Sequence, residues 1–493
     1  IEGDNLEVLR LLLPAYRGAA GLVYLDPPYN TGGELIYPDN YRAPLRAYLQ
    51  LTGQHGDDGS RARAAARRGG HRHARWLSMM YPRLALAREL LAAHGFLCVS
   101  ISELECAPLR LILDELLGEE AFVAQLVWRA RKLSDARAKT RVSIDHEYVL
   151  VYRGGPEATF RGVPRDETKF KNPDDDPRGP WMSRSMLGLA DRGRRPRLHY
   201  AITDPATGRR FSPPPASGWR YGQETMARMI AEGRVLFPRR AGGRPREKKF
   251  RAALQHARAT FPSIIDGVYT GDGTRELREL LGFHGFDFPK PSELVRLLIE
   301  QTTGPDALIV DLFAGSGTTG HAVARQNAAD QGARRYLCVQ LPEPLAARTE
   351  AARRGLATIA DITRARLARV AGEGGGFRAF RLVSTERGLA ADAREDELDA
   401  RAYALALAAG YPLTVEIERV GGPGARVYSI AGGRVVLCLE GRVEPARLDA
   451  MIAARPGAIV LLDPRCDGER LREAARAAKV AGVHDLRLVN APG

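Results

Sequence analysis

Four consecutive residues near the start of the sequence, Asp26, Pro27, Pro28 and Tyr29, could act together on an aromatic amino group. Two successive prolines fix the backbone, so the carbonyl groups around them keep one direction. An aspartate beside such a carbonyl offers two acceptors to one amino group, and the tyrosine offers a ring on which a planar base can stack. The two acceptors draw the nitrogen toward a tetrahedral state and expose its lone pair to a methyl donor. The proton can leave after the methyl arrives, so no strong base is required. These four residues are called the catalytic tetrad below.

A glycine turn late in the chain, Gly315-Ser316-Gly317, is the second feature with a chemical meaning. It belongs to the segment GSGTTG (315–320), which follows a strand-like run and precedes a helical one. Such a pattern gives a tight turn, close approach of the backbone to a ligand and a helix amino terminus, as nucleotide-cofactor sites require. Glu343 lies at the end of the next predicted strand, where an acidic residue often binds a ribose. The turn alone would equally suit a nicotinamide-dependent dehydrogenase. The catalytic tetrad favours a methyltransferase, because a dehydrogenase has no use for it.

The elements around both motifs alternate between strands and helices. Residues 20–26 form a short apolar run that ends in an acidic residue and prolines, as a buried parallel strand does at its carboxyl end. Residues 76–93 have helical periodicity, and 307–326 predict a strand, a turn and a helix. This alternation predicts an α/β fold with a doubly wound, Rossmann-like sheet.

The region between the two motifs has a different character, because proline, glycine and arginine crowd together and periodicity is poor. It indicates an inserted module on the rim of the sheet, where loops carry function. Beyond the glycine run at 374–376, strands are predicted near 413–419, 426–430, 434–439 and 458–462, among helical segments. We assign 1–154 to the catalytic half of the sheet, 155–285 to the insert, 286–373 to the cofactor half and 374–493 to a small mixed α/β accessory region.

The charge of the chain favours a polyanionic partner. The 73 lysines and arginines outnumber 59 aspartates and glutamates, which gives a formal net charge of +14 and a pI near 9.7. An arginine-rich composition throughout the chain is the alternative explanation. Basic residues concentrate at 61–75 and 238–251, which could contact phosphates or be ordinary solvated loops. The candidate DNA-binding residues are Arg67, Arg68, Arg239, Arg240, Lys248 and Lys249.

Several segments together resemble one family, the beta-class amino-methyltransferases of DNA, and in particular the modification subunits of type III restriction systems. DPPYNTG (26–32) resembles the catalytic motif of that family, and VDLFAGSGTTGHAV (310–323) resembles its cofactor motif, which follows the catalytic one in the beta class. FPKPSELVRLLI (288–299) and EGDNLEVLRLL (2–12) resemble the elements that precede these two motifs. The resemblance is weaker at 155–285 and beyond 375.

This resemblance implies S-adenosylmethionine as the cofactor and double-stranded DNA as the substrate, with the target base flipped out of the helix. Asp26 and the carbonyl of Pro27 would then accept from the target amino group, while Tyr29 stacks on the base. The insert would recognise the target sequence, and no metal is expected. The residues implied to bind the cofactor are Asp4, Asp26, Lys290, Pro291, Asp311, Phe313, Ala314, Gly315, Gly317, Thr318 and, in the ribose-binding role, Glu343.

The target base is predicted to be adenine, methylated at its 6-amino group. Relatives that methylate the 4-amino group of cytosine more often begin the tetrad with serine, so Asp26 favours adenine. Three alternatives stay open: cytosine, a structured RNA substrate, and a chain that mainly gives specificity to a helicase-nuclease partner. We expect a site-specific enzyme of a restriction-modification or phage-defence system.

The remaining expectations concern the partners of the protein, its location in the cell and three residues near the predicted strands. We expect a homodimer, with a type III restriction subunit as a further partner, in a bacterial or archaeal cytoplasm. No apolar run approaches the roughly 18 residues of a membrane span, and the five scattered cysteines form no CxxC pair. His146 and Glu147 are expected to be structural rather than site-lining, and Trp128 to lie in the core.

Overall fold

The structure is a computed structural model, and its chain forms two compact units. One unit comprises Ile1–Phe160 and Pro262–Gly493, and the other comprises Arg161–Phe261. The structure describes residues 1–30, 70–136, 141–240, 242–254, 258–372, 376–382, 395–420, 426–439, 443, 445–461, 476, 478–480, 483 and 485–488.

A seven-stranded sheet forms the centre of the first unit, and most of its strand pairs are parallel, which confirms the predicted α/β fold. Its strand order is β14-β3-β4-β2-β1-β15-β16, and β4 is antiparallel to both β2 and β3. Every residue of β1 is buried, as expected for a parallel strand covered on both faces. The strands are β1 (Ala20–Leu25), β2 (Leu91–Ile101), β3 (Phe122–Trp128), β4 (Glu147–Arg153), β14 (Ile264–Ile265), β15 (Leu308–Asp311) and β16 (Arg335–Cys338).

Helices pack around this sheet, and several begin with a recognisable cap. Asp4 caps the first helix, because its carboxylate accepts from the backbone N–H groups of Leu6 and Glu7. No helix within the described residues is long and apolar enough to cross a membrane. The helices of this unit are α1 (Asn5–Tyr16), α2 (Gly70–Leu90), α3 (Glu103–Leu117), α5 (Thr270–Leu281), α6 (Ser292–Thr302), α7 (Thr318–Asp330), α8 (Glu350–Arg353), α9 (Ile359–Ala371), α10 (Glu395–Ala408) and α11 (Pro445–Ala453).

A second sheet of five strands lies in the carboxyl-terminal part of the same unit. Its first three strands are antiparallel and the last three are parallel. Four of its strands lie where the sequence predicts them, which confirms a mixed α/β region. They are β17 (Ile417–Val420), β18 (Val427–Ile430), β19 (Val435–Cys438) and β20 (Ala458–Leu461), followed by β21 (Asp485–Leu488).

The unit Arg161–Phe261 consists of short strands and one helix, α4 (Gln223–Ala231). A small core that includes Trp219 and two methionines of α4, Met226 and Met229, holds it together. It lies within the predicted insert of 155–285, whereas residues 262–285 belong to the first unit. Its strands are β5 (Val163–Pro164), β6 (Trp181–Ser185), β7 (Leu187–Gly188), β8 (Ile202–Thr203), β9 (Arg210–Phe211), β10 (Gly218–Trp219), β11 (Val235–Leu236), β12 (Arg246–Phe250) and β13 (Arg258–Ala259).

Candidate active site

The catalytic tetrad and the glycine turn lie at the same edge of the central sheet. Strands β1 and β15 are parallel neighbours, and Tyr24 pairs in register with Asp311. The tetrad follows β1 directly, and the glycine turn follows β15 after three residues. The carboxyl ends of adjacent parallel strands form the usual ligand-binding edge of an open α/β sheet. The two motifs are therefore neighbours, although almost 290 residues separate them in the sequence.

The backbone of the tetrad is held by a tryptophan of α2. The indole Nε1 of Trp76, which is fully buried, donates to the carbonyl of Pro28 at 2.6 Å. Among the described residues, the carbonyl of Pro27 has no protein donor, so it is available to a ligand. One carbonyl therefore anchors the turn and the other is left for a ligand, and the role implied for the Pro27 carbonyl stays a prediction.

Tyr29 and Asp26 are joined by a group of charged side chains that the sequence did not place here. The hydroxyl of Tyr29 donates to Glu147 Oε2 at 2.7 Å. The Nζ atom of Lys290 lies 2.9 Å from Asp26 Oδ1, 3.5 Å from Glu147 Oε2 and 4.4 Å from the centre of the Tyr29 ring. Only a tenth of the Lys290 side chain is exposed. Asp26, Tyr29, Glu147 and Lys290 are called the lysine cluster below.

The charges of the lysine cluster depend on one another. Burial raises the pKa of Asp26, and the ammonium of Lys290 opposes that rise. Burial alone would lower the pKa of Lys290, but the carboxylates of Asp26 and Glu147 outweigh it, so the net pKa is raised. Lysine therefore stays charged at neutral pH and favours the carboxylate form of Asp26, which is the form that accepts two hydrogen bonds.

The glycine turn forms an open cradle at the amino terminus of α7. Gly315 and Gly317 have φ angles of +52° and +83°, a conformation that favours glycine. A Cβ atom at Gly315 would meet nothing closer than the Phe286 ring, at 3.7 Å. Gly317 occupies the cap position of α7 and has no side chain that could satisfy the first N–H groups of this helix. Free N–H groups at a helix amino terminus suit an anionic ligand such as the carboxylate of S-adenosylmethionine, so the residues fit that cofactor.

Two side chains of helix α9 donate hydrogen bonds to the glycine turn and to the residue that follows it. Thr363 Oγ1 donates to the carbonyl of Gly315 at 2.6 Å. Arg366, with a fully buried side chain, donates from Nη1 to the hydroxyls of Ser316 and Thr318 at 2.9 and 2.8 Å. Its Nη2 donates to Glu276 Oε2 at 3.0 Å. Burial lowers the pKa of Arg366 to about 10, so it remains charged at neutral pH.

Replacing Arg366 with alanine should destabilise the protein and weaken cofactor binding. The change removes one of the partners of Glu276 and leaves two buried hydroxyls of the turn without their donor, at a cost of about 2 kcal/mol in the free energy of unfolding. Denaturant unfolding with and without S-adenosylmethionine measures both effects. Arg369→Ala is the matched control, because Arg369 is exposed on the same helix. Equal stability of the two variants would contradict the anchoring role.

The other residues predicted to bind the cofactor occupy different environments. Asp311 is buried and its two oxygens accept from the N–H of Phe313 and the hydroxyl of Thr319, so it shapes the turn from inside. Burial raises its pKa to about 7. Asp4 caps α1 and pairs with Arg83 at 3.0 Å. Its predicted contact with the cofactor adenine stays a prediction.

The position of the ribose-binding acid also stays a prediction. Glu343 is half-buried beyond the end of β16, and burial raises its pKa. Gln340, which follows β16, uses its Oε1 to accept from the N–H of Gly315 at 2.7 Å. Gln340 therefore supports the glycine turn through the protein itself. Phe313 and Ala314 are buried in the turn, and the carbonyl of Lys290 accepts from Thr318 Oγ1 at 3.1 Å.

Two predictions about the neighbouring residues have different outcomes. Trp128 is fully buried and donates to the carbonyl of Val268, which confirms its place in the core. Glu147 was expected to be structural, but it contacts Tyr29 and Lys290, so that expectation was wrong. His146 contacts the hydroxyl of Tyr148 at 2.9 Å. The sequence signal for Glu147 is its position at the start of a predicted strand, which can lie at the ligand-binding edge of the sheet.

The α/β fold and the arrangement of the tetrad and the glycine turn agree with those expected of an amino-methyltransferase. The chain belongs to the N6_N4_Mtase family, described as DNA methylase, whose model matches residues 20–339. That match includes the catalytic tetrad, the insert and the glycine turn.

Curated relatives support the same assignment. The chain is 34% identical over 384 residues to the type III restriction-modification enzyme StyLTI Mod subunit of Salmonella typhimurium, covering 75% of this chain and 56% of that protein. It is 29% identical to the EcoP15I Mod subunit of Escherichia coli, covering 78% of this chain and 65% of that protein. It is 29% identical to the type II methyltransferase M.KpnI of Klebsiella pneumoniae, covering 74% of this chain and 85% of that protein. The chain thus spans less than two thirds of the length of the two Mod subunits.

Proposed function

We propose that the chain transfers a methyl group from S-adenosylmethionine to the 6-amino group of adenine in double-stranded DNA. The observation that carries this proposal is the pairing of the catalytic tetrad with an open, glycine-lined helix terminus at one edge of the sheet. Family membership and the similarity to Mod subunits and M.KpnI support it.

The residues of the chain account for the steps that the protein must perform. When bound at the glycine turn, S-adenosylmethionine would supply an electrophilic methyl group on a sulfonium. Asp26 and the free carbonyl of Pro27 would bind the two hydrogens of the target amino group and orient its lone pair. Tyr29, fixed through its hydroxyl by Glu147, would support the base. The carboxylate of Asp26 is also the nearest acceptor for the proton that the amino group loses.

Adenine is favoured over cytosine by the acid at the first position of the tetrad. The alternative, a cytosine 4-amino group, presents the same donor pair to Asp26 and Pro27, so the contacts described above do not distinguish the bases. The similarity to Mod subunits, and the aspartate itself, support adenine. Expressing the chain alone in cells without other methylases and sequencing their modified DNA tests this: 6-methyladenine at one motif is expected, and 4-methylcytosine would overturn it.

DNA recognition is proposed for the unit Arg161–Phe261, because this unit carries almost all of the net charge. Its residues include 23 lysines and arginines against 10 aspartates and glutamates, a formal net charge of +13. The rest of the chain has 50 basic and 49 acidic residues, a net charge of +1. Arginine is frequent throughout the chain, but outside this unit the acidic residues nearly balance the basic ones. A strongly basic unit is what phosphate contacts require.

Lys248 was predicted to contact DNA, and its environment corrects that prediction. Lys248 is buried in β12, where its Nζ contacts Asp174 and lies 3.0 Å from Asp176 Oδ2. A lysine paired in this way holds the unit together and is not accessible to a phosphate. Arg239 and Arg240 are exposed and Lys249 is half-buried, so they remain candidates. Arg67 and Arg68 lie outside the described residues.

Replacing Arg239, Arg240 and Arg244 together with alanine should weaken DNA binding and flatten its dependence on salt. Each arginine that contacts a phosphate contributes about 0.9 to the slope of log K against log salt concentration. All three side chains are exposed, so the change should leave the thermal stability unaltered. Binding titrations at several salt concentrations measure the slope.

Exposed arginines of the other unit provide the matched control for this experiment. Arg10, Arg348 and Arg353 are exposed, and their replacement removes the same charge. If the slope of log K against log salt concentration falls equally in both triple variants, the change reflects the net charge of the chain and not phosphate contacts by the insert. An unchanged slope in the first would exclude residues 239–244 as phosphate contacts.

The partners implied by the Mod subunits are also proposals for this chain. A restriction subunit would use the same DNA-recognition unit to direct cleavage, and a homodimer is the expected assembly. The alternative, that the chain serves mainly as such a recognition subunit, predicts DNA binding without methylation. The expression experiment above separates the two, because only a methyltransferase modifies the DNA of its host.

A further inference from the structure

The lysine cluster leaves a question about how a base could enter the site. A target amino group must bind Asp26, and its ring must lie against Tyr29. In the structure both positions are in contact with one group, the ammonium of Lys290, which lies 2.9 Å from Asp26 Oδ1 and 4.4 Å from the centre of the Tyr29 ring. A base that uses both residues therefore meets Lys290 in both places.

A second acceptor for the ammonium lies close by. Glu147 Oε2 is 3.5 Å from Lys290 Nζ and is fixed by the hydroxyl of Tyr29 at 2.7 Å. Because both carboxylates lie within 3.5 Å of Nζ, a short movement of the lysine side chain would transfer the ammonium from Asp26 to Glu147. The backbone of Lys290 need not move, since its carbonyl is bound by Thr318 of the glycine turn.

We propose that Lys290 is an exchangeable donor, which occupies the place of the target amino group on Asp26 until a base enters and then moves to Glu147. The proposal rests on the proposed function, because it concerns the amino group that this function methylates. It assigns two further residues to the reaction. Lys290 touches the substrate position and keeps Asp26 ionised, while Glu147 is a positioning residue that receives Lys290 and orients Tyr29.

The exchange has an energetic reason. A buried carboxylate without a partner is costly, and it would take up a proton before the base arrives. A protonated Asp26 has lost one of its acceptors. The ammonium prevents this, and the second carboxylate ensures that the ammonium itself is never left buried and unpaired when the base displaces it.

Glu147→Gln tests whether Glu147 receives the ammonium of Lys290 when a base enters. The glutamine keeps an oxygen that can accept from the hydroxyl of Tyr29 but has no charge, so Lys290 should remain on Asp26 and compete with the base. We expect the KM for DNA carrying the mapped site to rise about tenfold or more, because only the fraction of enzyme with a free Asp26 can bind the base. The kcat at saturating DNA should change by no more than a few-fold.

Lys290→Met tests whether the ammonium of Lys290 occupies Asp26 before a base enters. The neutral side chain removes the competitor but also removes the charge that keeps Asp26 ionised. We expect the acid limb of the profile of kcat/KM against pH to move to higher pH, so that activity is lost on mild acidification. In Lys290→Arg, which keeps the charge, the limb should return toward that of the wild type. A purely structural lysine would lower stability and activity without moving the limb.

The double variant and a control complete the experiment. Without Lys290 there is no competitor, so adding Glu147→Gln to Lys290→Met should not raise the KM further, which is a non-additive result. Lys479→Met removes an exposed lysine of the same unit and should behave as the wild type. The proposed exchange would be contradicted if the two substitutions had additive effects on KM. It would also be contradicted if the acid limb of the kcat/KM profile did not move in Lys290→Met.

Failure of this inference is distinguishable from failure of the proposed function. If the unaltered chain transfers no methyl group to DNA, the function itself fails before the variants are compared. If the chain methylates DNA and requires Asp26, while the Lys290 and Glu147 variants resemble the control, only the exchange is wrong.

Discussion

Asp26→Ala should abolish methyl transfer, with a loss of about 10³-fold or more in kcat, because it removes an acceptor that binds the amino group as its charge develops. The carbonyl of Pro27 would remain as a single acceptor, which cannot hold both amino hydrogens. Cofactor affinity should stay within a few-fold of the wild type, since the hydrogen bonds of the glycine turn come from Gln340, Thr363 and Arg366. Transfer of a labelled methyl group to DNA and calorimetric titration with S-adenosylmethionine measure the two quantities separately.

Two further variants make the result for Asp26 specific. Asp26→Asn keeps one neutral acceptor and should lose less activity than the alanine variant. Asp306→Ala removes an exposed carboxylate just before β15 and should be fully active. Wild-type turnover of Asp26→Ala would exclude the tetrad as the place of chemistry and would remove the main support for the proposed function.

The main features of this site were predictable because they depend on local rules. An apolar run that ends in Asp26 and two prolines is typical of the carboxyl end of a buried strand, and a glycine turn of this kind is typical of the end of another. In an open α/β sheet these ends share one edge, so the sequence was sufficient to bring the two motifs together. Strands β19 and β20 of the carboxyl-terminal sheet were predictable for a similar reason, since each is a short apolar run.

The lysine cluster was not predictable in the same way. Lys290 was placed on the cofactor side by resemblance, and its contact with Asp26 depends on the path of the backbone before it, where Phe288 has a φ of +52°. Glu147 begins β4, which runs antiparallel to β2, so its approach to the ligand edge follows from strand direction. No pattern of residue types shows that direction.

The prediction for Lys248 failed because a run of like charges does not show which members have partners. All four residues of 246–249 (Arg-Glu-Lys-Lys) are charged, yet within β12 Arg246 is exposed whereas Glu247 and Lys248 are buried. The partners of Lys248 are Asp174 and Asp176, more than seventy residues earlier. A basic stretch therefore indicates the charge of a unit more reliably than it indicates which side chains face the DNA.

Gly317→Asp should prevent the binding of S-adenosylmethionine while the fold is retained. An aspartate at this position would place its carboxylate beside the first N–H groups of α7, where the positive end of the helix dipole lies. Those groups are the ones proposed to bind the carboxylate of the cofactor, and two anions cannot share them. The Cβ atom would also lie 3.2 Å from Thr363 Cγ2 and 3.3 Å from the carbonyl of Thr363, which presses on the residue that holds Gly315.

Charge and strain at Gly317 can be separated by two controls. Gly317→Ala introduces the same Cβ atom without a carboxylate and should weaken binding less than aspartate does. Gly355→Asp places an aspartate at a φ of +88° with no atom within 4 Å of its Cβ, so it reports the cost of the backbone conformation alone. Cofactor binding is measured as the rise in melting temperature with ligand concentration, which vanishes when no site exists. A normal rise in Gly317→Asp would mean that the cofactor binds elsewhere, and the glycine turn would then serve only to connect β15 to α7.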